Sequence, residues 1–258
     1  MKGFSFVYMT PALKHWRVAR EAPADVLSQF PHLDRLLRQV FYVRGITDPD
    51  RVTAFLEGGR EDVNPFDIVD VPAAVTRIRQ ALRREERMAV YGDFDVDGLT
   101  ATALLVQTLR ALGGDVEAYI PHRVDEGYGL NSEALGALAG DGVSLVITVD
   151  CGVRAIEEIS HANQLGLDVV VTDHHSVGRR LPNAVAVIDP KRADSSDTAP
   201  GGRFDELAGS GVAFRLAQAL LRSHERTPVS REDVPLQEED LLDLVALGTV
   251  ADVVPLRD

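Results

Sequence analysis

From residue 88 onward, five strand-like runs, the last four short, apolar and rich in Val and Ile, alternate with helix-like stretches. This alternation leaves few architectures open. Strands are expected over Met88–Gly92, Val116–Ile120, Ser144–Val149, Asp168–Thr172 and Ala184–Ile188, and helices over Leu99–Leu112, Ser132–Ala139, Val153–Leu165, Val212–Ser223 and Leu236–Leu247. Parallel neighbours need a crossover of roughly a dozen residues, which intervening helices supply. The expected fold class is therefore α/β, a doubly wound, mostly parallel sheet, in which ligands bind beyond the carboxyl ends of the strands.

Residues 1–87 read as a mainly helical N-terminal region packed on the core, with helical spacing in Val26, Leu27, Phe30, Leu33, Leu36, Leu37 and Val40, and again in Val71, Ala74, Val75, Ile78 and Leu82. Pro31 interrupts the first series. The segment EGGREDVNP, Glu57 to Pro65, is a loop by composition, and DPKRADSSDTAPGGRFDE, Asp189 to Glu206, is either a plain surface loop or a lid. The expected division is a helical region at 1–87 and an α/β domain at 88–258.

Four of the five expected strand ends carry chemistry. After the first comes GDFDVDG, with Asp93, Asp95 and Asp97 at alternate positions; in an extended strand such residues face one way, so three carboxylates converge. Three like charges that close repel unless a cation sits among them. The third strand ends at Asp150, which either caps the following helix or bridges two cations about 3.5–4 Å apart, as in two-metal sites. The fourth ends in Asp173-His174-His175, where one imidazole suits a metal, the other a phosphate oxygen, and Asp173 orients them. Asp252 closes the apolar stretch LGTVAD, where a carboxylate requires a partner. Several carboxylates with one imidazole favour Mn²⁺, with Mg²⁺ as substitute, over zinc. His122, Arg123 and Tyr128, after the second strand, offer an imidazole, a cation and a ring to a phosphate or base, the alternative being a glycine turn. Gly209 and Gly211 open a helix whose free N–H groups suit an anion, although close packing also requires small residues. The single cysteine, Cys151, reads as packed rather than ligating.

Charge is unevenly spread. The net charge is −13, yet residues 1–87 carry 14 basic against 12 acidic side chains and residues 88–258 carry 13 against 28. A chain that grips nucleic acid alone usually shows a basic footprint. Either the substrate is small, or cations neutralise the acidic part and the basic grip lies elsewhere. No apolar run reaches the roughly 18 residues of a membrane span, and MKGFSFVYMTPALKHW lacks a signal peptide's apolar core, so a cytoplasmic location is the default.

The ordered set DFDVDG, VD, DHH and GTVAD resembles the DHH phosphoesterase superfamily. The longer strings VYGDFDVDGLTATALL, IPHRVDEGYGLN, AGSGVAFRLAQAL and ALGTVADVVPL are similar to its RecJ-like family of exonucleases. That resemblance implies a 5′-to-3′ exonuclease on single-stranded DNA that releases 5′-mononucleotides in repair and recombination. It implies one Mn²⁺ on Asp95 and Asp150 with Asp93, a second on Asp97, Asp150, His174 and Asp252, and His175 facing the scissile phosphate. By the same resemblance, a DHH-associated domain and an oligonucleotide-binding domain follow in longer relatives, and a helicase and a single-strand-binding protein are partners. Two alternatives stay open: a phosphodiesterase on short oligonucleotides or cyclic dinucleotides, and a non-catalytic scaffold.

Overall fold

The computed structural model describes residues 18–57, 64–192, 206–229 and 234–256. Two compact units divide the chain, Met1–Val63 and Asn64–Asp258. The boundary thus falls earlier than the sequence pattern places it, because the helix at Val71–Arg84 packs into the larger unit through its apolar stripe of Val71, Ala74, Val75 and Ile78. Residues 58–63 of the EGGREDVNP segment, residues 193–205 of the expected surface loop or lid, and the N-terminal segment lie outside the described residues.

The smaller unit holds α1 (Ala24–Ser28), α2 (Arg35–Val43) and α3 (Pro49–Glu57). The chain breaks between α1 and α2 around Pro31, and Asp34 restarts it by accepting the Leu36 N–H at 2.7 Å. Phe30, Phe41, Ile46 and Val52 form its core.

In the larger unit, α4 (Val71–Arg84) precedes an alternation of β1 (Arg87–Tyr91), α5 (Val96–Ala111), β2 (Val116–Tyr119), α6 (Ser132–Gly140), β3 (Val143–Val149), α7 (Ile156–Gln164), β4 (Asp168–Thr172) and β5 (Ala186–Ile188). Two further helices, α8 (Gly209–Arg226) and α9 (Leu242–Ala251), follow. All strand pairings are parallel, in the order β2-β1-β3-β4-β5. Helices α6 and α7 pack on one face, against Ala89, Tyr91, Val169, Val171 and Val187. Helices α5 and α8 cover the other, and α9 packs on both. Strands buried on both faces read as continuous apolar runs, as β3 does.

This order reverses direction between β1 and β3, so the carboxyl ends of those strands form the crevice of a topological switch point. The segments after β1, β3 and β4 open into it. At the opposite, amino edge, Arg77 on α4 binds Glu86 at 2.6 Å and Asp168 at 2.5 Å, and the Ser144 hydroxyl also donates to Glu86. This ionic staple joins α4 to the starts of β1, β3 and β4, far along the strands from the crevice.

Arg77→Met removes the cation between two carboxylates, one of them largely buried. A loss of about 2 kcal/mol in a urea unfolding titration is expected, while calorimetric Mn²⁺ binding stays unchanged.

Candidate metal centre

The three aspartates after β1 do not converge on one spot: Asp93 and Asp95 share one group of ligand atoms and Asp97 belongs to another, and they are not alternate residues of a strand. The strand ends at Tyr91 and α5 begins at Val96, so each aspartate has its own backbone setting. Asp93 lies in the connecting loop and accepts the Phe94 N–H at 2.7 Å. Asp95 is the N-cap of α5, accepting the Gly98 N–H at 2.9 Å. Asp97 sits in the first helical turn, and both its oxygens accept backbone N–H groups from the amino end of α8, Gly209 at 2.6 Å and Ser210 at 2.9 Å. The extended geometry gives way because Asp95 satisfies the orphan donors of a helix start better than it would continue a strand.

The anion expected at Gly209 is therefore the side chain of Asp97 rather than a substrate group. Gly211 has no part in the crevice either: the space where its side chain would be faces Leu207. What glycine allows here is close approach. A Cβ on Gly209 would lie 2.7 Å from that of Asp150, and one on Gly248 of α9 would lie 2.5 Å from Asp97 Oδ1, 2.6 Å from Thr100 Oγ1 and 2.3 Å from Ser210 Oγ. Helices α5, α8 and α9 meet over the site only because both positions lack a side chain.

Asp150 follows β3 with φ of 59°, in the left-handed region, while its N–H still continues the ladder to Thr172 at 3.0 Å. Asp tolerates that conformation better than most residues. The backbone turn directs its carboxylate toward His174, whose Nε2 lies 3.0 Å from Asp150 Oδ1, 3.8 Å from Asp97 Oδ2 and 3.7 Å from Asp252 Oδ2. Asp252 caps the carboxyl end of α9 and is part-exposed. Asp173 orients the ring of His175 but holds His174 only by its backbone, the His174 ring nitrogens having no hydrogen-bond partner among the described residues. It accepts the N–H groups of His174 and His175 at 2.7 and 3.1 Å and that of Val153 at 2.9 Å, and it lies 2.7 Å from His175 Nδ1.

Three groups of donor atoms result, each close enough to share one cation: Asp93, Asp95 and Asp150; Asp97, His174 and Asp252; and Asp150, His174 and His175. Asp150 and His174 each belong to two groups. Buried Asp150 Oδ1 and His174 Nε2 make no aligned hydrogen bond to each other or to any described neighbour, despite lying 3.0 Å apart. Donor atoms that converge without hydrogen bonding fit a cation between them, and a set of carboxylates with one imidazole fits Mn²⁺ or Mg²⁺.

The electrostatics agree. Burial, with Asp97 and Asp95 nearby, pushes the Asp150 carboxyl up to about 7 despite the opposing His174. Burial also raises Asp93 and Asp252. Asp173 moves the other way: hydrogen bonds from His175 and Val153 outweigh its burial and hold it below the usual carboxylate range. Asp173 in turn pushes His175 up to about 9 against the effect of burial. The crevice thus pairs crowded carboxylates in need of a cation with one imidazolium at its rim.

On the far side of His175, Tyr128 places its hydroxyl 3.3 Å from His175 Nε2 and its ring edge-on to Phe94. The Arg123 guanidinium stands over the Phe94 ring, 4.9 Å from its centre. His122 is turned elsewhere, with Nδ1 2.7 Å from Asp125, both side chains well exposed, and it joins none of the donor groups. Cys151 is buried, and burial pushes its thiol up, which disfavours a thiolate ligand.

Sequence reasoning missed Phe94, Glu126 and Asp189. Glu126 accepts hydrogen bonds from the Tyr119 hydroxyl and, at 2.5 Å, from the His122 N–H, which shapes the loop bearing Arg123 and Tyr128. Asp189 is fully buried at the end of β5, where burial pushes it up to about 6. Its place at a fourth strand end was the available signal.

Fold and crevice together define an α/β protein with a carboxylate-rich centre suited to hard divalent cations. The chain belongs to the DHH family: the description "DHH family, N-terminal domain" matches residues 87–249. It is 39% identical over 253 residues to the single-stranded-DNA-specific exonuclease RecJ of Bacillus subtilis, covering 97% of this chain and 30% of that one. A crystal structure of exonuclease RecJ bound to manganese superposes with a TM-score of 0.61 at 38% identity, over 73% of this chain and 44% of that one. RecJ of Thermus thermophilus in complex with Mn²⁺ gives 0.68 at 31% identity, over 94% and 32%. The chain thus spans less than half the length of each.

Gly248→Ala places a methyl group against Asp97 and Ser210. Thermal unfolding is expected to show a loss of about 1–3 kcal/mol from overpacking, and calorimetry a fall in Mn²⁺ affinity of at least roughly tenfold, on the scale reported for disturbed ligand support.

Proposed function

We propose that this chain carries the catalytic centre of a metal-dependent exonuclease that hydrolyses single-stranded DNA from its 5′ end and releases 5′-mononucleotides in repair and recombination. The observation that carries the reading is the shared position of Asp150 and His174 between donor groups, with His175 on the rim. Similarity to RecJ, named a single-stranded-DNA-specific exonuclease, supports the substrate.

Asp93, Asp95 and Asp150 would hold one Mn²⁺, and Asp97, Asp150, His174 and Asp252 a second, with Mg²⁺ as substitute. Bound there, divalent cations supply Lewis acidity and activate a water at neutral pH. Asp150, between the donor groups, fixes their spacing. Asp97 keeps its orientation through the Gly209 and Ser210 N–H groups, so the centre requires little rearrangement when charge changes. Asp173 holds His175 protonated at Nδ1 and turned so that Nε2 reaches an oxygen of the scissile phosphate, where it offsets developing negative charge. Water oxygen bonds to phosphorus, the bond from phosphorus to the 3′-oxygen breaks, and that oxygen leaves as a hydroxyl. Arg123, braced on Phe94, draws the strand's phosphates toward the crevice.

A helicase and a single-strand-binding protein are the proposed partners, and the cytoplasm the proposed location; among the described residues no helix is long and apolar enough to cross a membrane. The acidic balance of residues 88–258 favours one rival, a phosphodiesterase on short or cyclic oligonucleotides. Manganese-dependent release of mononucleotides from 5′-labelled single-stranded DNA separates them, and cleavage of a cyclic dinucleotide alone would reject the exonuclease. Asp150→Ala should lower turnover by at least roughly 100-fold, the scale of losing one group that stabilises transition-state charge. Arg123→Ala should raise KM with kcat nearly unchanged. Equal losses of kcat at saturating DNA in both would overturn this division of roles.

A further inference from the structure

A cleft of about 340 Å³ opens beside the metal centre, on the face of the sheet that carries α7. It shares His175 and Asp173 with the centre, so whatever occupies it touches the group facing the phosphate. It is lined by Tyr128 and Leu130 and by the turn after β3, from Gly152 to Ala155. Ala155 adds an apolar side chain to that lining while Val153 is buried beneath it, and Glu158 and Arg154 bring a carboxylate and a guanidinium. Arg154 is fixed in place, its Nε donating to the Ser176 carbonyl at 2.6 Å. The Tyr128 ring is held by Phe94 and His175 yet more than half exposed, which leaves ring surface available.

We infer that this cleft is a nucleoside subsite, which takes the base and sugar adjoining the phosphate on the metal centre. The inference rests on the nuclease reading and adds a location and a chemistry to it. A nucleobase has two flat apolar faces and a polar edge, which suits a lining that combines an aromatic ring and aliphatic side chains with a guanidinium and a carboxylate. Stacking on an aromatic ring is tolerant of sequence, because every base presents a π-face. The volume lies at the small end of the range for ligand pockets, roughly 300–1,000 Å³, so it admits one nucleoside rather than two.

The test compares 5′-dAMP with deoxyribose 5-phosphate, which lacks the base, by calorimetry on the Mn²⁺-loaded chain. The expected result is at least tenfold tighter binding of 5′-dAMP, an advantage that Ala155→Phe removes by filling the cleft. Equal affinities in the unmodified chain, or an advantage that survives Ala155→Phe, would overturn the inference. Should the phenylalanine prevent folding, photolabelling of the unmodified chain with 8-azido-dAMP decides: adducts within residues 128–130 or 151–158 support the subsite, and adducts confined elsewhere reject it. Hydrolysis of single-stranded DNA is read on the same preparation. Hydrolysis without base-dependent binding rejects the subsite and leaves the nuclease, whereas base-dependent binding without hydrolysis rejects the nuclease and leaves a nucleotide-binding cleft.

Discussion

The carboxyl edge of the sheet depends on how the Asp97 carboxylate meets the amino end of α8. The first N–H groups of a helix have no partner within it, and the helix dipole adds positive potential there. Asp97 satisfies two of them, one with each oxygen. A carboxylate has roughly four acceptor sites, so both oxygens keep capacity for a cation. One side chain therefore ties α5 to α8 and still faces His174 and Asp252. Without that tie, the like charges of Asp97 on α5, Asp252 at the end of α9 and Asp150 after β3 would push those segments apart.

The two edges of the sheet divide the work. At the amino edge, Arg77 pairs with both Glu86 and Asp168, with only its buried Nη1 left without a described partner. At the carboxyl edge, Asp97, Asp150 and Asp252 crowd around His174, and Asp150 and His174 hold ligand atoms that no described group satisfies. The first arrangement is held by a cation of the protein's own. The second requires added cations, and the neighbouring cleft, Arg123 and Tyr128 lie against this incomplete edge.

Much of this was legible in the residues. The Val- and Ile-rich runs located all five strands within two residues, because burial on both faces leaves a continuous apolar signal. Asp150, Asp173, His174 and His175 were legible from their places at strand ends. The aspartate cluster was recognisable as a cluster, while its geometry was not: helix capping by Asp95 ended the strand early, a local competition that alternate spacing cannot reveal. The partner of Gly209 was hidden for a different reason. Its hydrogen bond spans more than a hundred residues of sequence, and only the packing of α5 on α8 brings the groups together. Helix α4 was assigned to the wrong unit because a helical period shows that a face is buried, not against what.

The left-handed backbone at Asp150 has a consequence for descent. Among the side chains that such a conformation admits with little strain are asparagine and glycine, and either would leave the turn after β3 and the approach of α8 intact. Neither would supply the carboxylate that belongs to two of the donor groups. One substitution at this position therefore separates architecture from the proposed chemistry, so a lineage can lose the carboxylate in a single step and retain the scaffold.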